Sequence, residues 1–246
     1  MTTNIFKQQL KLSYSDNRPV LTDYTAINKE LYSIGVHVSC LKLPREAFSI
    51  LQSSDKVPLT PKKTADILKI FTLDREDTLN QIALAGRKPS VMRGGSLTTA
   101  EVGVPPYPKI YDLKKMSTKD HIDAEIKFGR LHVNIADNGI GVDEVMTLIA
   151  GGPWTWFFLS GKNVVLKLSL SRVSSEGQGW RISYSGLRPH GAFMDAEDGI
   201  CVAYICGPKN WLMQYESQDI EGCDMLGKNP WIDFSNRSPI LLDFVR

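Results

Sequence analysis

Polar side chains suited to metal binding or proton transfer occur at residues 128–136, where the pattern predicts a strand. Alternation along this stretch places Arg130, His132 and Asn134 on one face and aliphatic side chains on the other. An imidazole and an amide on one strand face provide two donor groups that can converge on a ligand. Histidine titrates near neutral pH and binds metals through either ring nitrogen.

A carboxylate joins this group from the next predicted strand, at residues 142–150. There Glu144 shares its face with Met146 and Leu148. A charge on an apolar strand face lies either at a sheet edge or in a cavity. In a cavity the charge needs a partner such as a metal or another cation, because burying it unpaired is costly.

Two stretches resemble the two sequence motifs of the cupin superfamily. The first motif is matched by His132, Asn134, Glu144 and Gly151, with six residues between the last two. The second is matched at its core by residues 189–191, Pro-His-Gly. The match spans residues 128–194, within a region of short strands.

The chain departs from the cupin pattern at three points. Asn134 stands where the first motif has its second histidine, and nine residues separate it from Glu144 where the family has three or four. Met194 stands where the second motif has its histidine. His190, inside the Pro-His-Gly stretch, would have to take over that role.

The resemblance implies a small jelly-roll barrel that holds one divalent metal. On this chain the implied ligands are His132, Glu144 and His190, with Asn134 or Asp143 as a further polar partner. Two imidazoles and one carboxylate suit Fe, Mn or Zn and leave positions open for a substrate. The alternatives are a surface or hydrogen-bonded His132, a strand-edge Glu144 and a solvated His190.

Aromatic side chains alternate on two further predicted strands. Trp154 and Trp156 share one strand face, and Trp180 and Tyr184 alternate on another. Trp156 and Tyr184, together with Asn134, are our candidates for binding a ring-bearing or sugar-like substrate. Packing in the core is the alternative for these aromatics.

The residue period changes to two from Ile110 onward, which predicts a mainly β domain. Gly, Asn, Asp and Pro separate eight short stretches, a spacing typical of a sandwich, jelly roll or barrel. The predicted strands are 109–113, 128–136, 142–150, 155–159, 163–173, 179–185, 200–206 and 212–216.

Residues 1–106 are predicted to form a mostly helical region that precedes the β domain of residues 107–246. Helix signals occur after Thr22 or Asp23, either of which can cap a helix, at 45–51, at Thr60-Pro61 and at 75–85, with one strand at 36–43. The glycine- and proline-rich residues 86–108 predict a connecting segment. Its Arg87, Lys88 and Arg93 fit a solvated linker, and the alternative is a loop that closes over an anionic substrate.

Charge and hydropathy exclude several classes of partner. Residues 1–106 carry 14 basic and 10 acidic side chains, and residues 107–246 carry 15 and 17, so neither part has the basic surface of a nucleic-acid binder. The longest apolar stretch, 145–159, is broken by Gly151, Gly152 and Pro153, which argues against a membrane anchor. The N-terminus lacks the apolar core of a signal peptide, and we expect a cytoplasmic protein.

Three functions agree with these features. The first is a metal-dependent dioxygenase, lyase or isomerase that acts on a small organic molecule inside the barrel. The second is a metal-free module that binds a small ligand among the aromatics. The third is a structural protein whose β domain packs against copies of itself, and a homodimer remains open for all three.

The cysteines provide a test of the compartment. Cys40, Cys201, Cys206 and Cys223 show no metal-binding or redox spacing, so in a reducing compartment they should be free thiols. Denatured protein is expected to show four reactive thiols in a thiol-titration assay without added reductant. A count of two or none would contradict the cytoplasmic prediction.

Overall fold

Four of the five described helices lie in the N-terminal region. The computed structural model describes residues 9–54, 56–87, 108–137, 139–173, 177–194, 197–208, 210–220 and 222–245. Its helices are α1 (Tyr24–Tyr32), α2 (Arg45–Gln52), α3 (Pro61–Ile70), α4 (Arg75–Leu84) and α5 (Thr118–Gly129). No helix among these residues is long and apolar enough to cross a membrane.

Two predicted helix starts are confirmed by capping bonds. The Asp23 side chain accepts from the Ala26 amide at the start of α1. Thr60 caps α3 in the same way, with proline at the first helical position. Of the predicted connecting segment, residues 88–107 lie outside the described residues.

The described ranges also contain thirteen strands. They are β1 (Leu10–Tyr14), β2 (His37–Lys42), β3 (Lys109–Asp112), β4 (Val133–Ala136), β5 (Asp143–Ala150), β6 (Trp154–Leu159), β7 (Val165–Leu170), β8 (Gln178–Ser185), β9 (His190–Phe193), β10 (Ile200–Cys206), β11 (Trp211–Gln214), β12 (Ile232–Asp233) and β13 (Ile240–Leu241).

Two antiparallel sheets carry the core in a jelly-roll arrangement. One has the order β1-β7-β6-β9 and the other has the order β2-β8-β5-β10-β3. Their inward side chains belong to one hydrophobic cluster, in which Phe158 of the first sheet meets Tyr184 of the second at 5.3 Å between ring centroids. The short pairs β11-β4 and β12-β13 lie outside these two sheets.

Both sheets are also covered on their outer faces, which explains why strands such as β6 and β10 are buried throughout. The C-terminal segment covers the first sheet, where Trp231 packs with Phe157 and Val165. Helix α4 covers the second, where Ile82 meets Cys206. Strands covered on both faces are apolar without alternation, as the Trp-Thr-Trp-Phe-Phe-Leu sequence of β6 is.

The N-terminal region contributes strands as well as helices. β1, absent from our sequence prediction, pairs with β7 at the edge of the first sheet. β2, at the predicted 36–43, pairs with β8 at the edge of the second. The division of the chain at residue 106 stays a prediction, but both sheets take an edge strand from before it.

The predicted strand at 128–136 was wrong in its first half. Residues 118–129 form α5, whose capping box joins the Ser117 and Asp120 side chains to each other's backbone amides. Arg130 is the residue that ends this helix. Only from His132 onward is the chain paired as a strand, so Arg130 does not share a strand face with His132.

Gly151 lies between β5 and β6, where the backbone of Gly199 approaches it closely. Its φ of +71° favours glycine, and a Cβ there would lie 2.6 Å from the Gly199 Cα. Gly139 has a similar φ of +78° but nothing within 4 Å of the same position. We expect Gly139→Ala to cost about 1 kcal/mol and Gly151→Ala about 3 kcal/mol in denaturant unfolding, because only the second adds a backbone clash. Equal losses would contradict this account.

Candidate active site in the β cavity

A cavity of about 80 Å³ lies between the two sheets. Five residues form its polar side. One lies on each of β4, β5 and β8, and the other two are the paired His132 and His190. Its apolar side is formed by aromatic and thioether side chains. The polar side chains are His132, Asn134, Glu144, Tyr184 and His190.

Backbone pairing brings the two histidines together. His132 and His190 form an antiparallel bridge, with N–H to O distances of 2.9 and 3.0 Å in the two directions. Residues opposite each other in such a bridge project from the same face, and the two rings lie 4.4 Å apart between centroids. His190 also faces Phe158 in the pairing of β9 with β6.

Glu144 lies on β5 directly opposite Tyr184 of β8. The Tyr184 hydroxyl donates to Glu144 Oε2 at 3.1 Å, and the Trp156 indole N–H donates to the Tyr184 oxygen at 3.3 Å. The Asn134 amide donates to Glu144 Oε1 at 2.6 Å. Both carboxylate oxygens of this fully buried side chain therefore accept a hydrogen bond.

The hydrogen bonds from Asn134 and Tyr184 do not fully offset the free energy lost when the Glu144 carboxylate is removed from water. Burial raises the pKa of Glu144 to about 7, although the hydrogen bonds from Asn134 and Tyr184 act in the opposite direction. Burial and the neighbouring carboxylate raise the pKa of Tyr184 well above its ordinary value. Without a cation nearby, Glu144 is thus close to half protonated at neutral pH.

Both histidines are neutral and share one tautomer. The Nδ1 atoms of His132 and His190 each lie 2.8 Å from a backbone carbonyl oxygen, of Arg130 and Arg188 respectively. A carbonyl can only accept, so each Nδ1 carries the proton and each Nε2 carries a lone pair. Burial lowers the pKa of His190 to about 4, and burial and the adjacent His190 lower the pKa of His132 well below its usual value.

Acceptors outnumber donors on the polar side of the cavity. His190 Nε2 lies 3.5 Å from Glu144 Oε1, although both atoms accept when Glu144 is ionised. Asn134 Nδ2 is 3.4 Å from the same Nε2, whereas Asn134 Oδ1 is buried without a hydrogen-bond partner among the described residues. Buried acceptors without donors are rare in native proteins, so this group points to a bound cation or donor.

The donor chemistry of these residues fits a divalent metal. Two Nε2 lone pairs fixed by Nδ1–H bonds to carbonyls, one carboxylate and one unpartnered amide oxygen are ligands that such ions accept. Within the described ranges, however, no three His, Cys, Asp or Glu side chains are arranged as a group that could hold a metal ion. The Asn134 amide nitrogen occupies the contact to Glu144 that a cation would take.

Asp143, our alternative polar partner, lies outside this cavity. Its carboxylate forms an ion pair with Arg87, which also donates to the Ser183 hydroxyl at 2.7 Å. Successive residues of a strand point to opposite faces, which is why Asp143 and Glu144 separate. Arg87 is therefore not the solvated linker residue that the sequence predicted, because it docks the end of α4 onto β5 and β8.

Our candidate substrate-binding residues Trp156 and Tyr184 do line the cavity, but several other wall residues were missed. Met194, noted only as a departure from the cupin pattern, forms part of the wall. So do Trp211 and Met213, which alternate along β11. The period of two in Trp211-x-Met213 is a signal that could have assigned both to one inward face.

Comparison with known proteins supports the fold. No protein-family model and no curated protein matches the chain. A solved structure that does match is acireductone dioxygenase from Bacillus anthracis with a cadmium ion in its active centre. The two share 15% sequence identity at a TM-score of 0.54, over 85% of this chain and 100% of that one.

This neighbour has the cupin fold, and the likeness concerns fold alone. It confirms the predicted fold class, a mainly β, cupin-like jelly roll with a helical N-terminal region. Membership of the cupin superfamily itself stays a prediction.

The raised pKa of Glu144 predicts a pH-dependent cost in metal-free protein. In the unfolded chain this carboxyl ionises near its ordinary pKa of 4.5, whereas in the fold its pKa is about 7. Between these values the folded state binds more protons, so the contribution of Glu144 to stability falls as pH rises. Relative to wild type, Glu144→Gln is expected to gain on the order of 3 kcal/mol between pH 4.5 and 7.

The measurement is denaturant unfolding of both proteins at about pH 5 and pH 8 with a chelator present. Glu46→Gln, at an exposed position of α2, serves as the matched control and should show no such gain. A stability difference between Glu144→Gln and wild type that stays constant with pH would contradict the assignment of a buried, unpaired carboxylate.

Proposed function

We propose that this protein is a metal-dependent enzyme, a dioxygenase, lyase or isomerase, that acts on a small organic molecule in the cavity. The observation that carries the proposal is the convergence of His132, Glu144 and His190 on one buried wall that has more acceptors than donors. A divalent cation would satisfy these acceptors. It would also stabilise the ionised form of Glu144, whose pKa burial raises to about 7.

In this proposal the Nε2 atoms of His132 and His190 and the carboxylate of Glu144 hold the metal. The carbonyls of Arg130 and Arg188 fix both imidazoles in the tautomer that leaves Nε2 free to bind. Tyr184 fixes Glu144 through its hydroxyl and is itself held by Trp156. When bound, such a metal supplies Lewis acidity that polarises an oxygen of the substrate.

The walls of the cavity would supply the remaining requirements of catalysis. Aromatic and thioether side chains exclude water and lower the local dielectric, which strengthens every electrostatic contact at the polar side. The acireductone dioxygenase that shares this fold holds its cadmium ion in the active centre. A metal ion in the active centre of a protein with this fold supports our proposal that the present cavity also binds a metal.

A metal-free ligand-binding module is the second candidate, and one contact favours it. Asn134 Nδ2 lies 2.6 Å from Glu144 Oε1, so a neutral amide already partners the carboxylate. In that case the cavity binds a small ligand without chemical change, and the ligand supplies the donors that the acceptors lack.

Metal content separates the two candidates. Protein purified without chelators is expected to carry about one Fe, Mn or Zn per chain by elemental mass spectrometry. His132→Ala, His190→Ala and Glu144→Gln should each reduce this content at least tenfold, because each removes one of the three proposed ligands.

His37→Gln is the matched control, since His37 lies on the edge strand β2 and does not line the cavity. It should retain the metal of wild type. Native protein without metal that also fails to take up Fe, Mn or Zn on titration would contradict the enzyme proposal and leave the binding module.

A further inference from the structure

A groove of about 540 Å³ lies on the surface between the C-terminal end of α5, the end of β11 and the chain that leads to β12. None of the described residues that line this groove also lines the cavity between the sheets, so the groove is a separate site. Its volume lies within the range of pockets that bind small organic molecules.

Positive charge predominates in the groove. Three basic residues, Lys127, Arg130 and Lys228, line it together with one acidic residue, Glu216, so its described lining has a net charge of +2. None of the three basic side chains forms an ion pair with a described residue. Like charges that share one concave surface repel each other, and a bound anion relieves this repulsion.

Arg130 is held in place with most of its hydrogen-bond donors available to a ligand. Its guanidinium carbon lies 4.6 Å from the centroid of the Phe234 ring, and one of its nitrogens donates to Gly227 O at 2.8 Å. A guanidinium has five N–H groups, and the other four have no acceptor among the described residues. A planar guanidinium that is already restrained by stacking is suited to bidentate binding of phosphate oxygens.

Apolar side chains form another part of the groove surface. Ile126 of α5, the Tyr215 ring and the buried Leu226 line the groove beside the basic residues. An inorganic phosphate ion would leave these side chains and most of the volume to water. An organic phosphate would cover them with its carbon-containing part, and the burial of this apolar area would add to its affinity.

Tyr215 forms a common wall between the groove and the cavity. Its ring centroid lies 5.9 Å from that of the His132 ring, and its hydroxyl donates to Lys127 O at 2.8 Å. The same hydroxyl lies 2.9 Å from the Sδ atom of Met213, which lines the cavity. A molecule in the groove would therefore lie one side chain away from the proposed metal site without occupying it.

We propose that this groove binds the phosphate group of a small organic phosphate monoester. The guanidinium of Arg130 and the ammonium groups of Lys127 and Lys228 bind the phosphate oxygens, and Leu226 and Tyr215 pack against the organic part. A phosphate monoester carries close to two negative charges at neutral pH, which matches the net charge of the groove. The inference goes beyond the proposed function and requires no metal, because none of these side chains belongs to the proposed metal site.

The experiment compares three probes on the full-length protein, treated with a chelator that is then removed. Phenyl phosphate has both the charge and the ring, inorganic phosphate has only the charge, and benzyl alcohol has only the ring. Affinities are measured by titration calorimetry and by ligand-observed NMR. We expect phenyl phosphate to bind about fivefold more tightly than inorganic phosphate and at least about tenfold more tightly than benzyl alcohol. Raising the salt from about 0.05 M to about 0.5 M should weaken the binding of phenyl phosphate.

Substitutions at exposed positions locate the binding and give changes of opposite sign. Lys127→Gln and Lys228→Gln should each weaken phenyl phosphate binding about fivefold, because each removes one positive charge from the groove. Glu216→Gln removes the negative charge and should strengthen binding about threefold. Lys119→Gln is the matched control, since Lys119 is an exposed residue of the same helix α5 outside the groove, and it should bind as wild type does.

Arg130→Lys tests the role of the guanidinium. This substitution keeps the charge but removes the planar pair of donors, so it should weaken phenyl phosphate binding about tenfold. If the loss of the bond to Gly227 impairs folding, the three charge substitutions at exposed positions still decide the outcome.

The inference is overturned if phenyl phosphate does not bind, if inorganic phosphate or benzyl alcohol binds as tightly, or if the charge substitutions have no effect. Binding that occurs only after a metal is added would place the phosphate in the cavity and would also overturn it. Phenyl phosphate binding by a protein that never takes up metal would contradict the enzyme proposal and support this inference. A metal-loaded protein that does not bind phenyl phosphate would contradict this inference alone.

Discussion

The geometry of the cavity depends on one buried carboxylate and the two donors that hold it. Glu144 is only 2% exposed, so Asn134 and Tyr184 supply the hydrogen bonds that water would otherwise provide. Because they come from β4 and β8, these donors tie three strands to a single point. The pKa of about 7 shows that this compensation is incomplete. A cation or a hydrogen-bond donor in the cavity would supply the stabilisation that the Glu144 charge still lacks.

Several elements with local sequence signals could be predicted from the sequence. The capping residues Asp23 and Thr60 mark helix starts correctly, because a cap is a contact between neighbours in the chain. Strand β5 and its Glu144 were also predicted, since an acidic residue in an apolar run stands out. Helix α5 was missed although its Ser117 capping box is also a local signal, and the strand predicted at 128–136 took in its last two residues, Phe128 and Gly129.

The contacts between distant residues of the site could not be predicted from local sequence signals. His132 and His190 are 58 positions apart, and only the register of the bridge between them brings their rings to 4.4 Å. The link of Arg87 to Asp143 is likewise a contact between distant segments. The resemblance to cupins selected both histidines and Glu144 without such information. It gave no reason to expect that Asn134 would donate to Glu144 and leave its own oxygen without a partner among the described residues.

The two edge strands from the N-terminal region have a consequence for how the β domain can exist. β1 and β2 each occupy the open edge of a sheet, next to β7 and β8, and hide rows of backbone N–H and C=O groups. A polypeptide that starts at residue 107 would present both edges to any other strand, which is the usual route to aggregation. It would also leave Asp143 without its Arg87 partner. The N-terminal region thus protects the sheet edges from pairing with other chains. The cavity between the sheets therefore depends on a segment that contributes no described residue to its wall.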